Sequence, residues 1–180
     1  ECKYDRCYYR IISMQTTDNQ KELFIVVDEK DKIVGYKTRY ECHHDKNLIH
    51  RGVGVALFNL KGEIAFQKRS QTKDHYAGLY TLTASGHVSK GESYLQAVIR
   101  ELKEEVGVKN IKLELISKRL IEFEKEREMD TLFKGIYNGG FTIDSNEVEG
   151  VYYFNKSQIL AIIDQMTSYC LSSLEVLGWI

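Results

Sequence analysis

Residues 86–108 read GHVSKGESYLQAVIRELKEEVGV, and this stretch decides which fold the chain can adopt. Residues 93–106 have the apolar spacing of an amphipathic helix. Ser93 and Gln96 fit a capping box at its start, and Gly107 fits a C-terminal stop. The apolar stripe predicted to face the core consists of Leu95, Val98, Ile99, Leu102 and Val106.

The helix also carries three acids, Glu101, Glu104 and Glu105, at the i, i+3 and i+4 spacing of a single face. We expect Ala97 and Val108 on the same face, away from the apolar stripe. Such a cluster is usually a solvated surface, because charged residues mostly face water. Carboxylate oxygens grouped in this way are also what Mg²⁺ and Mn²⁺ bind, usually together with substrate phosphates.

The loop before the helix favours the metal site. The pattern Gx5Ex7REUxEExGU, with U aliphatic, is matched in full by Gly86, Glu92, Arg100, Glu101, Leu102, Glu104, Glu105, Gly107 and Val108. From average residue usage, a chance match has a probability on the order of 10⁻⁷. The chain therefore resembles the Nudix hydrolases. The resemblance implies an α/β (α+β) fold, an αβα sandwich with a mixed β-sheet, and metal-dependent cleavage of a diphosphate linked to another group X.

The resemblance also implies roles for individual residues. Those implied in catalysis are Glu92, Arg100, Glu101, Glu104 and Glu105. The last three would bind Mg²⁺ or Mn²⁺, with the carbonyl of Gly86 brought near the metal by a sharp turn. Glu92 would pair with Arg100 and fix the loop against the helix, which concerns geometry more than stability. The general base stays open between a glutamate of the motif and an acid of a later loop.

Residues outside the motif indicate which branch of the family the chain resembles. The segments QKRSQTKDHYAGLY (67–80) and SGHVSKGES (85–93) resemble isopentenyl-diphosphate isomerases, and the similarity extends over residues 22–154. By this resemblance Arg69 and Lys73 bind the diphosphate. It also implies a second divalent-metal site, made by His43, His50, His87, Glu126 and Glu128.

Two departures from the isomerases favour hydrolysis. The isomerase moves a proton with a cysteine directly before the motif glycine, where this chain has Ser85, whose hydroxyl is a poor acid or base. This chain also keeps Glu101 and Glu104, where the isomerase has non-acidic residues. We therefore predict a pyrophosphohydrolase acting on a nucleoside-diphosphate-linked substrate. The alternatives are an isopentenyl-diphosphate delta-isomerase and a non-catalytic nucleotide-binding domain.

Length and composition fit one enzyme domain. We expect residues 1–20 to form an N-terminal arm and residues 21–180 the Nudix domain. The formal net charge of -1 gives no basic excess for nucleic acid, and no apolar run reaches the length of a membrane helix. The polar N-terminus and four cysteines without a CxxC pair favour a cytoplasmic protein with reduced thiols. We expect a small-molecule diphosphate as the partner, and a homodimer could form.

Periodicity predicts the remaining elements. Strands are expected at 8–12, at 22–39 with a turn over 28–31, at 50–70 with a turn over 59–62, and at 78–85, 111–123, 131–143 and 150–155. A final helix is expected from Lys156 to Leu174. Tyr76, Tyr80 and Phe123 could stack on a base, although aromatic residues more often pack in a core.

Overall fold

The computed structural model describes residues 18–73, 75–123 and 126–180. The strands are β1 (Leu23–Val27), β2 (Ile33–Thr38), β3 (Ile49–Phe58), β4 (Ile64–Arg69), β5 (Tyr80–Thr81), β6 (Ala84–His87), β7 (Leu113–Glu122), β8 (Arg127–Ile136) and β9 (Val148–Phe154). The helices are α1 (Arg39–His44), α2 (Tyr94–Val106), α3 (Lys156–Ala161) and α4 (Ser168–Val176), with a 3-10 turn at Ile163–Gln165. The strand predicted at 8–12 and most of the predicted arm lie outside the described residues.

The nine strands of this described part form one mixed sheet with β3 at its centre. β3 is antiparallel to β1, β4 and β6, and it is parallel to β8 along its whole length, from the Ile49–Arg127 pair to the Phe58–Ile136 pair. β2 lies beyond β1, β7 beyond β8, and β5 and β9 each pair with β4. This arrangement brings the ends of β3, β6 and β8 together.

Helices cover both faces of the sheet, and alternation along β3 supplies a core to each face. Val53, Val55 and Leu57 belong to the core that includes the buried side of α2, whereas Ala56 belongs to the core beneath α3 and α4. The layers are therefore helix, sheet and helix, which confirms the predicted αβα sandwich. No helix in the described ranges has both the length and the apolar character that crossing a bilayer requires.

The ends of α2 follow the sequence prediction. The Ser93 side chain accepts a hydrogen bond from the backbone N–H of Gln96, which completes the capping box. Gly107 ends the helix with φ 72°, a left-handed conformation that glycine adopts without strain.

The predicted buried face of α2 is wrong in part. Leu95 and Ile99 are 47% and 44% exposed, whereas Ala97 is fully buried. The buried side of the helix is therefore rotated towards the ridge that Ala97 shares with Glu101 and Glu105. Glu105 is only 5% exposed, so the expectation that the acids face away from the core is wrong for this residue. The pattern of apolar residues alone did not show this rotation. Glu105 is polar, and its burial depends on hydrogen-bond partners on the sheet.

Four other elements differ from the prediction, and side-chain hydrogen bonds account for two of the differences. The strand predicted at 78–85 is split into β5 and β6, because the Thr83 hydroxyl donates to the Ala65 carbonyl and accepts from the Leu57 N–H. The single C-terminal helix is split into α3 and α4, because Thr167 caps a new helix start. Helix α1 was not predicted, and the strand predicted at 131–143 runs from Arg127 to Ile136 instead.

Candidate active site

A pocket of about 420 Å³ opens where β3, β6, β8 and α2 meet. Apart from Glu92 and His50, every predicted site residue lines it: His43, Arg69, Lys73, Gly86, His87, Arg100, Glu101, Glu104, Glu105, Glu126 and Glu128. Glu92 and His50 lie behind the wall, in contact with lining residues. Two acids of a later loop, Asp144 and Glu147, also line the pocket. We call the part formed by α2 the acidic end and the part formed by the histidines the histidine end.

Arg100 organises the acidic end. Its guanidinium donates two hydrogen bonds to Glu92, with Nε–Oε1 and Nη2–Oε2 distances of 2.8 and 3.0 Å. Its Nη1 donates to Glu101 at 2.7 Å and to Glu104 at 3.2 Å. Its Nη2 also donates to the His87 carbonyl at 3.0 Å. A planar guanidinium with several donors holds such a set of oxygens in fixed positions, so Arg100 positions both the loop and the carboxylates.

Gly86 leaves room for one of these carboxylates. A Cβ at this residue would lie 2.1 Å from Oε1 of Glu101, which is far inside van der Waals contact. Gly86 lies within β6 and pairs with Val53, so the sharp turn expected at this residue is wrong. The glycine is needed for a close approach between strand and carboxylate.

Glu105 lies deeper in the acidic end. Its Oε2 accepts from Gln67 Nε2 at 2.8 Å and from the Ser85 backbone N–H at 3.1 Å. Burial raises the pKa of Glu101 well above its ordinary value, and repulsion from Glu105 adds to the shift. Burial also raises the pKa of Glu105, although the nearby cations Lys73 and Arg69 oppose the shift. Both carboxylates therefore lie where a bound cation would favour their charged forms.

The predicted diphosphate ligands reach the same pocket from β4 and the loop after it. Arg69 Nε donates to the His75 carbonyl at 3.1 Å. Lys73 is 8% exposed at its side chain, and its Nζ lies 2.5 Å from Asp18 Oδ1 and 2.5 Å from Glu147 Oε2. Both cations are thus held by the protein at the pocket wall.

Sequence reasoning missed a third cation, Arg39, which is 8% exposed and also lines the pocket. It opens helix α1, four residues before His43. Residues at this spacing share one face of a helix. A prediction of α1 would therefore have placed Arg39 beside the histidine end.

The histidine end brings five predicted residues together. His43 Nε2 lies 3.3 Å from His87 Nε2 and 3.2 Å from Glu126 Oε2. Glu128 Oε1 lies 3.6 Å from His50 Nε2 and 3.7 Å from His87 Nε2. One candidate ligand atom from each of His43, His50, His87 and Glu126 lies within 4.8 Å of all the others. Imidazole and carboxylate donors this close together fit a divalent transition metal.

Protonation at the histidine end also suits a metal. Burial lowers the pKa of His87 to about 4 and lowers that of His43 further, so both rings are neutral at pH 7 and keep a lone pair for a metal. Burial would raise the pKa of Glu128, but contacts with His50 and His87 outweigh it and lower the pKa. A Cβ on Gly52 would lie 2.4 Å from Glu128 Oε2, so a glycine makes room for a carboxylate here too.

β6 joins the two ends. The Ser85 N–H holds Glu105, Gly86 faces Glu101, and the His87 carbonyl accepts from Arg100 while its ring belongs to the histidine end. A displacement of this short strand would disturb both ends at once.

The aromatic residues are divided between the pocket and a core. Tyr76 and Phe123 line the pocket. Tyr80 instead packs edge-on against Tyr152 and Phe154, in the core under α3 and α4. Tyr76 has φ 55°, an unusual value for a residue with a side chain, and its hydroxyl lies 2.8 Å from Ser168 Oγ. Of the three predicted stacking residues, two are therefore placed to touch a ligand.

Comparison with known proteins identifies the class to which this pocket belongs. The model of the NUDIX domain matches residues 48–169. The chain therefore belongs to the Nudix family, whose hydrolases act on pyrophosphate bonds.

Individual relatives include proteins of both branches considered above. The chain is 30% identical over 156 residues to an uncharacterized Nudix hydrolase of Pseudomonas aeruginosa, covering 87% of this chain and 91% of the relative. It is also 30% identical over 151 residues to isopentenyl-diphosphate delta-isomerase 2 of Photorhabdus laumondii, covering 79% and 82% of the two chains. The crystal structure of DR0079 from Deinococcus radiodurans superposes with a TM-score of 0.73 at 20% identity, over 85% of this chain and 96% of that one. This last likeness concerns the fold alone.

Proposed function

We propose that the chain is a Mg²⁺- or Mn²⁺-dependent pyrophosphohydrolase that cleaves a nucleoside-diphosphate-linked substrate. The observation that carries this proposal is the burial of Glu101 and Glu105 together at the acidic end, with both pKa values raised. Burying neighbouring carboxylates is costly unless a cation compensates them. A fold that keeps them there gains from a divalent ion that the diphosphate of a substrate can also reach.

The residues have separate roles in this proposal. Glu101, Glu104 and Glu105, with the Gly86 carbonyl, would hold the ion, which offsets the charge of the diphosphate and lowers the pKa of a bound water. Glu104, 56% exposed at its side chain, lies at the rim and would contribute least. Arg69 and Lys73 would bind the diphosphate, whereas Arg100 and Glu92 would keep Glu101 in place.

The test is Glu105→Gln in the full chain, assayed with Mg²⁺ and with Mn²⁺ against a panel of diphosphate-linked compounds. An amide oxygen can still accept from Gln67 and Ser85, so the fold should be retained. Loss of the charge should lower kcat by about 10³-fold, the scale on which single electrostatic groups act in catalysis. Glu114→Gln, at a surface acid 67% exposed at its side chain, is the matched control. Turnover by Glu105→Gln at the wild-type rate would contradict the proposal.

A second candidate is isopentenyl-diphosphate isomerisation, favoured by the histidine end and by the relative that carries this activity in its name. Ser85 argues against it, because a hydroxyl is a weak acid-base group. Wild-type protein incubated with isopentenyl diphosphate should yield no dimethylallyl diphosphate, whereas Ser85→Cys supplies the missing thiol and should yield a detectable amount. Isomerisation by the wild type, without phosphate release from any compound of the panel, would reverse the ranking.

A further inference from the structure

Asp18 places a carboxylate among the cations of the pocket. Its side chain is 4% exposed, and it lines the pocket together with Lys73 and Arg39. A single oxygen, Oδ1, lies 2.5 Å from Lys73 Nζ and 3.4 Å from Arg39 Nη2. One anionic oxygen from the protein therefore contacts two buried cations at the same time.

The oxygen of a substrate phosphate would need the same donors. Carboxylate and phosphate oxygens form the same charge-assisted bonds with lysine and arginine. Burial lowers the pKa of Lys73, but the carboxylates of Asp18 and Glu147 outweigh it and raise the pKa, so the lysine stays charged. A phosphate group that binds Lys73 and Arg39 must compete with Asp18 for them.

The local backbone allows Asp18 to give way. The segment before β1 is joined to α1 by two backbone bonds, from the Tyr40 N–H to the Gln20 carbonyl at 3.2 Å and from the Arg39 N–H to the Glu22 carbonyl at 2.8 Å. Asp18 lies upstream of both bonds. Its carboxylate can therefore leave the cations without unpairing β1 or opening these bonds.

We infer that Asp18 is an intramolecular competitor for phosphate groups: it occupies the part of the pocket wall formed by Lys73 and Arg39 until a diphosphate displaces it. Asp18 thereby sets the affinity of the pocket for diphosphates. The inference rests on the proposed function only in assuming that the diphosphate binds at this part of the pocket wall.

Asp18 could otherwise hold Lys73 in position for the substrate, and the two roles predict opposite signs. Removing a competitor strengthens diphosphate binding, whereas removing a positioning group weakens it. Asp18→Asn separates them well, because the side chain keeps its shape and Glu147 still holds Lys73 on the other side.

The experiment is calorimetric titration of the full chain with imidodiphosphate, a non-hydrolysable analogue of pyrophosphate, in the presence of Mg²⁺. We expect the Kd of Asp18→Asn to be about 3- to 10-fold lower than that of the wild type, because the ligand no longer has to displace the Asp18 carboxylate. Glu114→Gln removes a surface acid paired with Lys134 and should bind as the wild type does. Adding Lys73→Met to Asp18→Asn should abolish the gain.

The outcomes separate this inference from the proposed function. An equal or higher Kd in Asp18→Asn overturns the inference, and so does absence of imidodiphosphate binding to both proteins. Tighter binding by Asp18→Asn, with no hydrolysis by the wild type across the substrate panel, supports the inference and removes the proposed hydrolase activity. Hydrolysis by the wild type, with unchanged affinity in Asp18→Asn, supports the proposed hydrolase activity and overturns the inference about Asp18.

Discussion

The two ends of the pocket hold buried carboxylates in different ways. At the histidine end, candidate ligand atoms of His43, His50, His87 and Glu126 already lie within 4.8 Å of one another, beside the charged Glu128. At the acidic end, Glu101 is held by Arg100 and Glu105 by Gln67 and Ser85, and burial raises the pKa values of both acids. The candidate ligands of the histidine end therefore already converge, whereas at the acidic end a bound cation would favour the charged forms of the carboxylates.

A glycine in each strand makes both ends possible. Gly86 in β6 gives space to Glu101, and Gly52 in β3 gives space to Glu128. The two strands are neighbours, and Gly52 pairs with His87. Small residues on adjacent strands thus let carboxylates from two other elements approach the sheet backbone.

Among the substitutions that compare the two ends, Gly86→Ala should have the larger effect and should act on the acidic end. The added methyl must displace Glu101, so we expect hydrolysis to fall by about 10²- to 10³-fold. Gly52→Ala displaces Glu128 instead and should leave hydrolysis within about 10-fold of the wild type. Steady-state kinetics of both variants, with Gly35→Ala as a control at a position with open space, tests this. Equal losses in Gly86→Ala and Gly52→Ala would show that the ends do not act separately.

Substitution at the histidine end should weaken metal binding more than it weakens catalysis. His43→Gln removes one imidazole from a set of four converging residues. We expect Mn²⁺ affinity at this end to fall by about 10- to 100-fold, which titration followed by electron paramagnetic resonance can measure. Binding of Mn²⁺ by this variant with wild-type affinity and stoichiometry would exclude a metal at the histidine end.

The pH dependence of metal binding should differ between the ends. Because the pKa values of Glu101 and Glu105 are raised, protons must leave when a metal binds, so affinity at the acidic end should increase as the pH rises towards neutrality and beyond. His43 and His87 have lowered pKa values, so these two rings should stay neutral and contribute little change over the same range. Calorimetry of Mn²⁺ binding in buffers of different ionisation enthalpy measures the protons released. Release should be smaller in Glu101→Gln, and unchanged release would contradict this account.

The smallest expected effect tests which face of α2 belongs to the core. Ile99 is 44% exposed, so Ile99→Gln should change the free energy of unfolding by less than about 0.5 kcal/mol. Leu102 is fully buried, and Leu102→Ala should cost about 2–5 kcal/mol. Chemical denaturation of the two variants gives both values. A large loss of stability in Ile99→Gln would show that Ile99 packs in the core, as the sequence predicted.

The sequence predicted much of the site because its motifs are local. The Gly86–Glu105 motif has a fixed spacing on one loop and one helix, and its cap at Ser93 was confirmed. The orientation of α2 was not predictable from apolar periodicity, because partners on distant strands stabilise a buried Glu105.

Contacts between segments far apart in the chain were also beyond reach of the sequence. Asp18, Arg39 and Lys73 meet only in the folded protein, where the segment before β1, helix α1 and the loop after β4 converge. The space that Gly86 leaves for Glu101 likewise depends on how α2 packs against β6, so the motif indicated that a glycine is needed without showing the reason.

Anomalous diffraction from crystals grown with Mn²⁺ would show directly whether a cation binds between Glu101 and Glu105. We predict a peak at the acidic end, bound by Glu101 and Glu105 near the Gly86 carbonyl, and a separate peak among His43, His50 and His87. A map without a peak at the acidic end, with Glu101 still on Arg100 and Glu105 still on Gln67, would contradict the account.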